Sequence, residues 1–162
     1  QDPVSGLEDL GATPYNCDMF TTMIAPLVAC ADCGALNRIP GERLRDDPVC
    51  GSCKNPLLDG EPVLLDDDSF ERFVSRTEVP VVVDFWAPWC APCRAMAPAF
   101  RDAARRLKGR AVRVKVNSDE SPRTAQRYGI RSIPTLVRLE QGYERQRQVG
   151  ALTVAQIVEM GM

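Results

Sequence analysis

The chain has 162 residues, which suits one domain or a domain with a small module, and it carries 20 Lys and Arg against 22 Asp and Glu. A net charge of −2 gives no basis for nonspecific nucleic-acid binding. The absence of histidine excludes Ser-His-Asp and Cys-His catalysis, HExxH metalloprotease sites and Cys2His2 zinc fingers. Any metal site must therefore use cysteine or carboxylate ligands.

The charge is divided unevenly along the chain. Residues 1–60 hold four Lys and Arg against nine Asp and Glu, and residues 61–162 hold sixteen against thirteen. This asymmetry indicates two modules. No apolar run approaches the ~18 residues of a membrane span, and no basic region followed by an apolar stretch marks a signal peptide. We therefore expect no membrane association. The missing signal weakens the hypothesis of export, although a mature chain could have lost one, and with the paired cysteines described next we expect a cytoplasmic protein.

The seven cysteines are unevenly spaced, and six of them form three CxxC pairs. The first 25 residues are predicted to be a flexible or tag-derived leader, in which Cys17 has no assigned role. Residues 26–58 contain two of the CxxC pairs, and the stretch between them, around Leu36 to Leu44, has almost no large apolar residues and cannot build a hydrophobic core of its own. Without a secretion signal, paired CxxC motifs indicate metal binding or redox chemistry in a reducing compartment.

The first two CxxC pairs have the spacing of a metal site. Cys30 and Cys33 are separated by sixteen residues from Cys50 and Cys53. Two such turns supply four thiolates in a tetrahedron, which favours one zinc ion. Its role would be structural, because four protein ligands leave no open position for water. An iron centre with the same ligands, two disulfides, or four reduced thiols are the alternatives.

The rest of the chain alternates strands with helices. Residues 59–64 are predicted to form a linker and a first strand, and residues 65–162 a second domain. A first helix is predicted to be capped by Asp67 or Asp68, and Val79–Trp86 is typical of a buried central strand. The remaining predicted elements are a helix at 93–107, a strand at 112–116, a helix at 121–128, a hairpin at 135–149 and a helix at 153–160. This order predicts an α/β fold with a central mixed sheet and helices on both faces.

The third CxxC pair, Cys90-Ala-Pro-Cys93, follows the buried strand and opens a helix. A thiolate at a helix N-terminus is stabilised by unpaired backbone N–H groups and by the helix dipole, so its pKa falls. We expect Cys90 to be the exposed nucleophile and Cys93 to be more buried, as the residue that resolves a mixed disulfide. Pro92 suits the first helical turn and stiffens the loop.

A proton acceptor for this dithiol must be something other than histidine. Asp84 lies in the apolar strand six residues before Cys90, where desolvation should raise the pKa of its carboxyl. It could act as general base for Cys93, through a water molecule, with Lys115 as its charge partner. In the alternative, Asp84 is a strand-end carboxylate facing solvent and Lys115 lies on a solvated strand face.

From about Pro62 to Met162 the chain resembles thioredoxin. The motifs that carry the resemblance are Asp84-Phe-Trp-Ala-x-Trp-Cys-x-Pro-Cys93, Pro98, Tyr128-Gly-Ile-Arg-Ser-Ile-Pro-Thr135 and Gly150. With the upstream cysteines, the chain from about Ala29 resembles the bacterial two-domain zinc-binding thioredoxins, the thioredoxin 2 type. The resemblance implies a thioredoxin fold preceded by a small four-cysteine, zinc-ribbon-like module.

The resemblance also implies roles for single residues. Cys90 would attack substrate disulfides, Cys93 would resolve them, and Asp84 would be the buried acid and base. Pro134 would be cis beside the dithiol, and the docking surface would be lined by Trp89, Ile133 and Gly150. Ala91 departs from the family, because most thioredoxins have glycine after the first active-site cysteine, so the reduction potential of this dithiol is left open.

The implied function is that of a monomeric protein-disulfide reductase regenerated by an NADPH-dependent thioredoxin reductase. No bound flavin or nicotinamide is expected, because no GxGxxG motif is present. One alternative is a zinc-stabilised partner-binding or chaperone-like module with secondary redox activity. Another is an exported oxidant or isomerase, which the four-thiolate module argues against.

Overall fold

A computed structural model describes residues 25–162 of the chain. Apart from Ala25, the predicted leader lies outside the described residues, as does Cys17. The described part begins with a two-stranded antiparallel sheet, β1 (Leu27–Ala29) and β2 (Leu36–Arg38), followed by one 3-10 turn, Gly41–Arg43. Together with the segment up to Leu58, these residues form the four-cysteine module.

A five-stranded sheet forms the larger part of the molecule. Its strands and helices are β3 (Val63–Leu65), α1 (Phe70–Arg76), β4 (Val81–Trp86), α2 (Ala91–Arg106), β5 (Val112–Asn117), α3 (Pro122–Arg127), β6 (Thr135–Glu140), β7 (Tyr143–Val149) and α4 (Val154–Met160). The strand order is β3-β5-β4-β6-β7, with β3, β5 and β4 parallel and the last two strands antiparallel. The predicted α/β class and the predicted order of elements are confirmed.

The central strand β4 is buried on both faces, as its run of β-branched residues predicts. On one face, Val83 and Phe85 belong to the hydrophobic cluster that contains Phe70 and Phe73 of α1. On the other, Val82 packs with residues of α2 and α4, namely Met96, Phe100, Ala103, Ile157 and Met160. Among residues 25–162, no helix has both the length and the apolar character needed to cross a bilayer.

The helix cap predicted at Asp67 or Asp68 is wrong. Ser69 is the N-cap of α1, and the carboxylate of Asp66 accepts hydrogen bonds from the backbone N–H groups of Asp68 and Ser69. Asp67 instead accepts hydrogen bonds from the backbone N–H groups of Arg123 and Thr124, at the start of α3. The acidic stretch therefore ties two helices together, a contact across more than fifty residues that local capping rules cannot predict.

An arginine of β5 is buried under the last helix. Arg113 is only 1% exposed, and its Nη2 donates a 2.6 Å hydrogen bond to the carbonyl oxygen of Ile157. Burial, together with the neighbouring positive charge of Arg138, lowers the pKa of Arg113 to about 9. Arg138 donates in the same way to the carbonyl oxygen of Met160. Two arginines of the sheet thus satisfy carbonyl groups at the C-terminal end of α4.

The four-cysteine module is packed against the larger sheet. Its residues Val28, Ile39 and Leu57 belong to the same hydrophobic cluster as Phe70 and Phe73 of α1. This agrees with the expectation that the stretch between the two CxxC pairs builds no core of its own. The domain boundaries at 26–58, 59–64 and 65–162 stay a prediction, since one continuous cluster crosses them.

Hydrogen bonds to residues 77 and 78 fix where the module docks. Leu27 and Glu78 are joined twice, by the Leu27 N–H to Oε1 of Glu78 (2.7 Å) and by the Glu78 N–H to the Leu27 carbonyl (2.8 Å). The Ala29 N–H donates to the buried hydroxyl of Thr77. Residues 77 and 78 precede the N-terminal end of β4, whereas Cys90 follows its C-terminal end. The module and the dithiol therefore lie at opposite ends of the parallel strands.

Candidate active site and metal centre

The redox cysteines lie where β4 gives way to α2. Cys90 and Cys93 are joined by a disulfide, with their Cα atoms 5.3 Å apart. Cys90 is the N-cap of α2, and its Sγ accepts a hydrogen bond of 3.2 Å from the backbone N–H of Cys93. A thiolate at this position would keep that hydrogen bond and meet the positive end of the helix dipole, which lowers the pKa of a thiol.

The exposure of Cys90 differs from the prediction. In the disulfide form Cys90 is only 4% exposed, and Cys93 is 1% exposed. The expectation that Cys90 is an exposed thiol is therefore wrong, although Cys93 is the more buried of the two, as predicted. The Ile133 carbonyl oxygen lies 3.7 Å from the Cys90 sulfur, on the loop opposite the helix.

Pro92 and Ala91 occupy the first turn of α2. Pro92 lacks a backbone N–H, which the first turn of a helix does not need. Ala91 is exposed, so its extra methyl group relative to glycine points away from the core. The departure at residue 91 therefore alters the surface beside Cys90 and does not disturb the packing beneath it.

Asp84 is a buried carboxylate without a partner among the described residues. It is 0% exposed, and neither of its carboxylate oxygens has a hydrogen-bond partner in residues 25–162. Because residues alternate along a strand, Asp84 faces the same side of the sheet as Val82, which packs on α2. This is the side on which Cys93 lies, at the start of the helix. The alternative of a solvent-facing carboxylate at this position is wrong.

The protonation of Asp84 is controlled by burial. Burial raises the pKa of the Asp84 carboxyl to about 7, and the positive charge of Lys115 opposes this increase only in part. Lys115 lies directly across from Asp84 in the β4–β5 register and places its Nζ 4.5 Å from the centre of the Trp86 ring. An acid with a pKa near 7 can both hold and release a proton at neutral pH.

The four residues predicted to line or shape a docking surface come from three segments. The Ile133–Pro134 peptide bond is cis, as the resemblance implies. Gly150 has a φ of +100°, and its N–H donates to the Pro134 carbonyl at 2.8 Å. Trp89 is 67% exposed, so it is not a core residue, and Ile133 is half-buried beside the Cys90 sulfur. Trp89 and Ile133 both line one groove beside the dithiol.

Trp89 has a partner that the sequence does not reveal. Its indole Nε1–H donates a 2.8 Å hydrogen bond to Oδ2 of Asp119, in the loop after β5. Neither residue is in a motif that predicts this contact, and they are thirty positions apart. The hydrogen bond fixes the orientation of the indole ring over the surface beside Cys90.

The Asp119→Ala variant tests this orientation. We expect kcat/KM for a protein disulfide to fall about 2- to 5-fold, which is the effect of losing one exposed hydrogen bond of about 0.5–1 kcal/mol. Fluorescence anisotropy decay in a Trp86→Phe background should show a more mobile Trp89. Glu120→Ala removes the neighbouring exposed carboxylate and serves as the control. Unchanged indole mobility would contradict the assigned contact.

The second site is formed by the four cysteines of the small module. The sulfur atoms of Cys30, Cys33, Cys50 and Cys53 all lie within 4.8 Å of one another. Two sulfur pairs, Cys30 with Cys53 and Cys33 with Cys50, are 3.6 Å apart. A tetrahedral zinc ion with Zn–S bonds of about 2.3 Å requires S–S distances of about 3.8 Å, so the arrangement fits such an ion.

Hydrogen bonds hold one of these sulfurs in place. The Cys50 sulfur is approached by the backbone N–H of Ser52 at 3.4 Å and by the side-chain amide of Asn37 at 3.7 Å. Asn37 also accepts from the Gly51 N–H. Asn37 supports the second cysteine turn from β2, and sequence spacing alone did not single it out.

Comparisons with known proteins find matches to both parts of the chain. The Thioredoxin family model matches residues 61–160, and the model "Thioredoxin 2, N-terminal", a zinc ribbon, matches residues 29–55. Thioredoxin C-3 of Corynebacterium nephridii is 40% identical over 131 residues, covering 81% of this chain and 90% of that protein. Thioredoxin 1 of a Nostoc species is 47% identical over 96 residues, covering 57% and 90%.

A solved structure gives the same result for the fold. A point mutant of thioredoxin from Halobacterium salinarum superposes with a TM-score of 0.58 and 27% identity, over 63% of this chain and 88% of that one. The fold is a thioredoxin fold, preceded by a four-cysteine module that fits a zinc ribbon. The chain therefore belongs to the thioredoxin family of thiol–disulfide oxidoreductases.

Proposed function

We propose that the chain is a monomeric, cytoplasmic protein-disulfide reductase that works through Cys90 and Cys93 and is regenerated by an NADPH-dependent thioredoxin reductase. The observation that carries this proposal is the position of Cys90, at the N-cap of α2 with a hydrogen bond from the Cys93 N–H. Thioredoxins in general act on protein disulfides. For this chain, we propose that Cys90 and Cys93 are the reacting dithiol and that a thioredoxin reductase regenerates it.

In the first step, the Cys90 thiolate attacks one sulfur of the substrate disulfide. This forms a mixed disulfide and releases the other substrate sulfur as a thiolate. The helix N-terminus stabilises the Cys90 thiolate before the attack. Trp89, Ile133, Pro134 and Gly150 would hold the substrate segment against this sulfur.

In the second step, Cys93 must lose its proton before it attacks the Cys90 sulfur. The buried Asp84 carboxylate would take this proton, through a water molecule, while Lys115 stabilises the ionised carboxylate. The Cys93 thiolate then forms the Cys90–Cys93 disulfide and expels the second substrate sulfur as a thiolate. The substrate disulfide has gained two electrons, and the dithiol has lost two in becoming a disulfide.

The small module would bind one zinc ion through Cys30, Cys33, Cys50 and Cys53. When bound, the ion supplies a structural cross-link between the two cysteine turns and takes no part in disulfide exchange. The module lies at the end of the parallel strands opposite the dithiol, which supports this division of roles.

A trapping experiment tests the dithiol mechanism. The Cys93→Ser variant should accumulate a mixed disulfide between Cys90 and a disulfide substrate such as insulin, visible by mass spectrometry, because no second thiol resolves it. The Cys90→Ser variant should form no such adduct. Cys17→Ser controls for the loss of a cysteine. Insulin reduction that persists in both active-site variants would contradict the mechanism.

A further inference from the structure

Two arginines of α1 lie against the first cysteine turn. The guanidinium of Arg72 covers Gly34, the residue after Cys33: a Cβ atom at Gly34 would lie 3.1 Å from Nε and 3.2 Å from the guanidinium carbon. One helical turn further on, Nη1 of Arg76 points at the Gly34 carbonyl oxygen at 3.5 Å. Both positive charges therefore reach the small module from the helix of the larger domain.

The backbone of the turn permits this close approach. Gly34 is buried and has a φ of +80°, a conformation that favours glycine. Its N–H donates to the Cys30 carbonyl and so closes the turn that carries both thiols. A Cβ atom at position 34 would require the Arg72 guanidinium to move by a few tenths of an ångström.

Neither arginine has a carboxylate partner in the described part of the chain. The ion pairs among residues 25–162 include neither Arg72 nor Arg76. Four thiolates around one Zn²⁺ carry about two net negative charges, which need compensation near a protein surface. The charge of the two arginines is therefore opposite in sign to that of the metal centre and lies beside it.

We propose that Arg72 and Arg76 are the counter-charges of the metal centre, so that the zinc affinity of the small module depends on α1 of the thioredoxin domain. The inference rests on the proposed zinc binding. Because such a coupling is reciprocal, bound zinc strengthens the docking of the module on α1 by the same factor by which docking strengthens zinc binding. Arg72 and Arg76 act as positioning residues and do not ligate the metal.

Zinc affinity of the full chain tests the proposal directly. Competition with a chromogenic chelator, under reducing and anaerobic conditions, gives the dissociation constant of zinc. We expect Arg72→Gln and Arg76→Gln each to weaken binding about 10-fold, as other supporting residues around metal ligands do. Arg72→Lys and Arg76→Lys should keep most of the affinity, because they keep the charge.

The matched control is Arg127→Gln. Arg127 pairs with Glu71 on α1, so it makes an ion pair with the same helix, but it belongs to α3 and not to the surface that faces the cysteine turns. The loss in the two glutamine variants should shrink as ionic strength rises, whereas a loss of packing would not. Circular dichroism checks that every variant is folded.

Three outcomes would contradict either the proposed zinc site or the counter-charge role of the two arginines. If the unmodified chain binds no zinc, the proposed metal site fails. If it binds zinc and both glutamine variants bind it equally tightly, the counter-charge role is overturned. An equal loss in the lysine and glutamine variants, independent of salt, would also overturn it, because the contact would then be steric.

Discussion

The Asp84→Asn variant should stabilise the oxidised protein at pH 8 by up to about 4 kcal/mol, and should change its stability little at pH 4. The reason is the buried carboxyl of Asp84, whose pKa is raised from 3.8 to about 7 by burial. Each unit of this shift corresponds to about 1.4 kcal/mol between the two protonation states. Asparagine has nearly the same shape and never needs to ionise.

The direction of the effect follows from the proton count. Below about pH 4 the carboxyl is protonated in both the folded and the unfolded chain. Between about pH 4 and 7 the unfolded chain releases this proton and the folded chain keeps it, so the free energy of unfolding falls as the pH rises. Above about pH 7 the free energy of unfolding falls no further on account of this group. The free energy of unfolding of Asp84→Asn should not show this decrease with pH.

Urea unfolding of both proteins at pH 4, 6 and 8 measures the difference. Glu120→Gln, which neutralises an exposed acid in the loop after β5, serves as the control and should follow the unmodified protein. If the free energy of unfolding changed with pH by the same amount in Asp84→Asn and in the unmodified chain, the Asp84 carboxyl would not be held protonated by burial.

The same variant should be a slower enzyme. Without a proton acceptor for Cys93, the resolving step should slow by about 10- to 100-fold near neutral pH. Decay of a preformed mixed disulfide at Cys90, followed by mass spectrometry, isolates this step from substrate binding. A variant that is both more stable and slower would show that the sheet is destabilised by the residue that the reaction needs.

The second large effect concerns the metal site. Replacing Cys50 by serine should abolish zinc binding and lower the stability of the whole described chain by at least about 3 kcal/mol. Cys50 is fully buried, and a structural zinc site is a main source of order in a module of this size. Val28 and Ile39 would lose burial worth about 1.5–3 kcal/mol each, and both share a cluster with Phe73 of α1.

Tryptophan fluorescence makes this effect measurable outside the module. Both tryptophans, Trp86 and Trp89, lie in the thioredoxin domain, so a lower urea midpoint in their signal reports a loss that has spread from the metal site. Chelator-treated protein should behave like the Cys50→Ser variant, and Cys17→Ser should not. An unchanged midpoint would mean that the module is energetically independent of the sheet.

Much of this architecture can be predicted from local patterns. The run of β-branched residues in 79–86 predicted the doubly covered strand, which spans Val81–Trp86, and the CxxC spacing predicted the cluster of four sulfurs within 4.8 Å of one another. The apolar residues around Asp84 favoured a buried carboxyl over a solvent-facing one, and Asp84 is 0% exposed. These features follow from recognisable patterns: a run of β-branched residues and a repeated CxxC turn at metal-site spacing.

Contacts between distant segments could not be predicted in the same way. The alternation of residues 112–116 gives no sign that Arg113 is buried, because its acceptor, the Ile157 carbonyl, is on a distant helix. The hydrogen bond between Trp89 and Asp119, and the docking of Leu27 on Glu78, likewise join residues 30 and 51 positions apart. No periodicity or motif marks such pairs before the chain is folded.

Placing the two kinds of thiol at opposite ends of the parallel strands has a kinetic consequence. The six-residue strand β4 alone is about 20 Å long, so the Cys90 thiolate cannot reach the cysteines of the metal centre within one folded molecule. Scrambling between the two sets of sulfurs must then occur between molecules. Its rate would rise with protein concentration, and dilution would protect the metal ligands from the reactivity of the enzyme's own nucleophile.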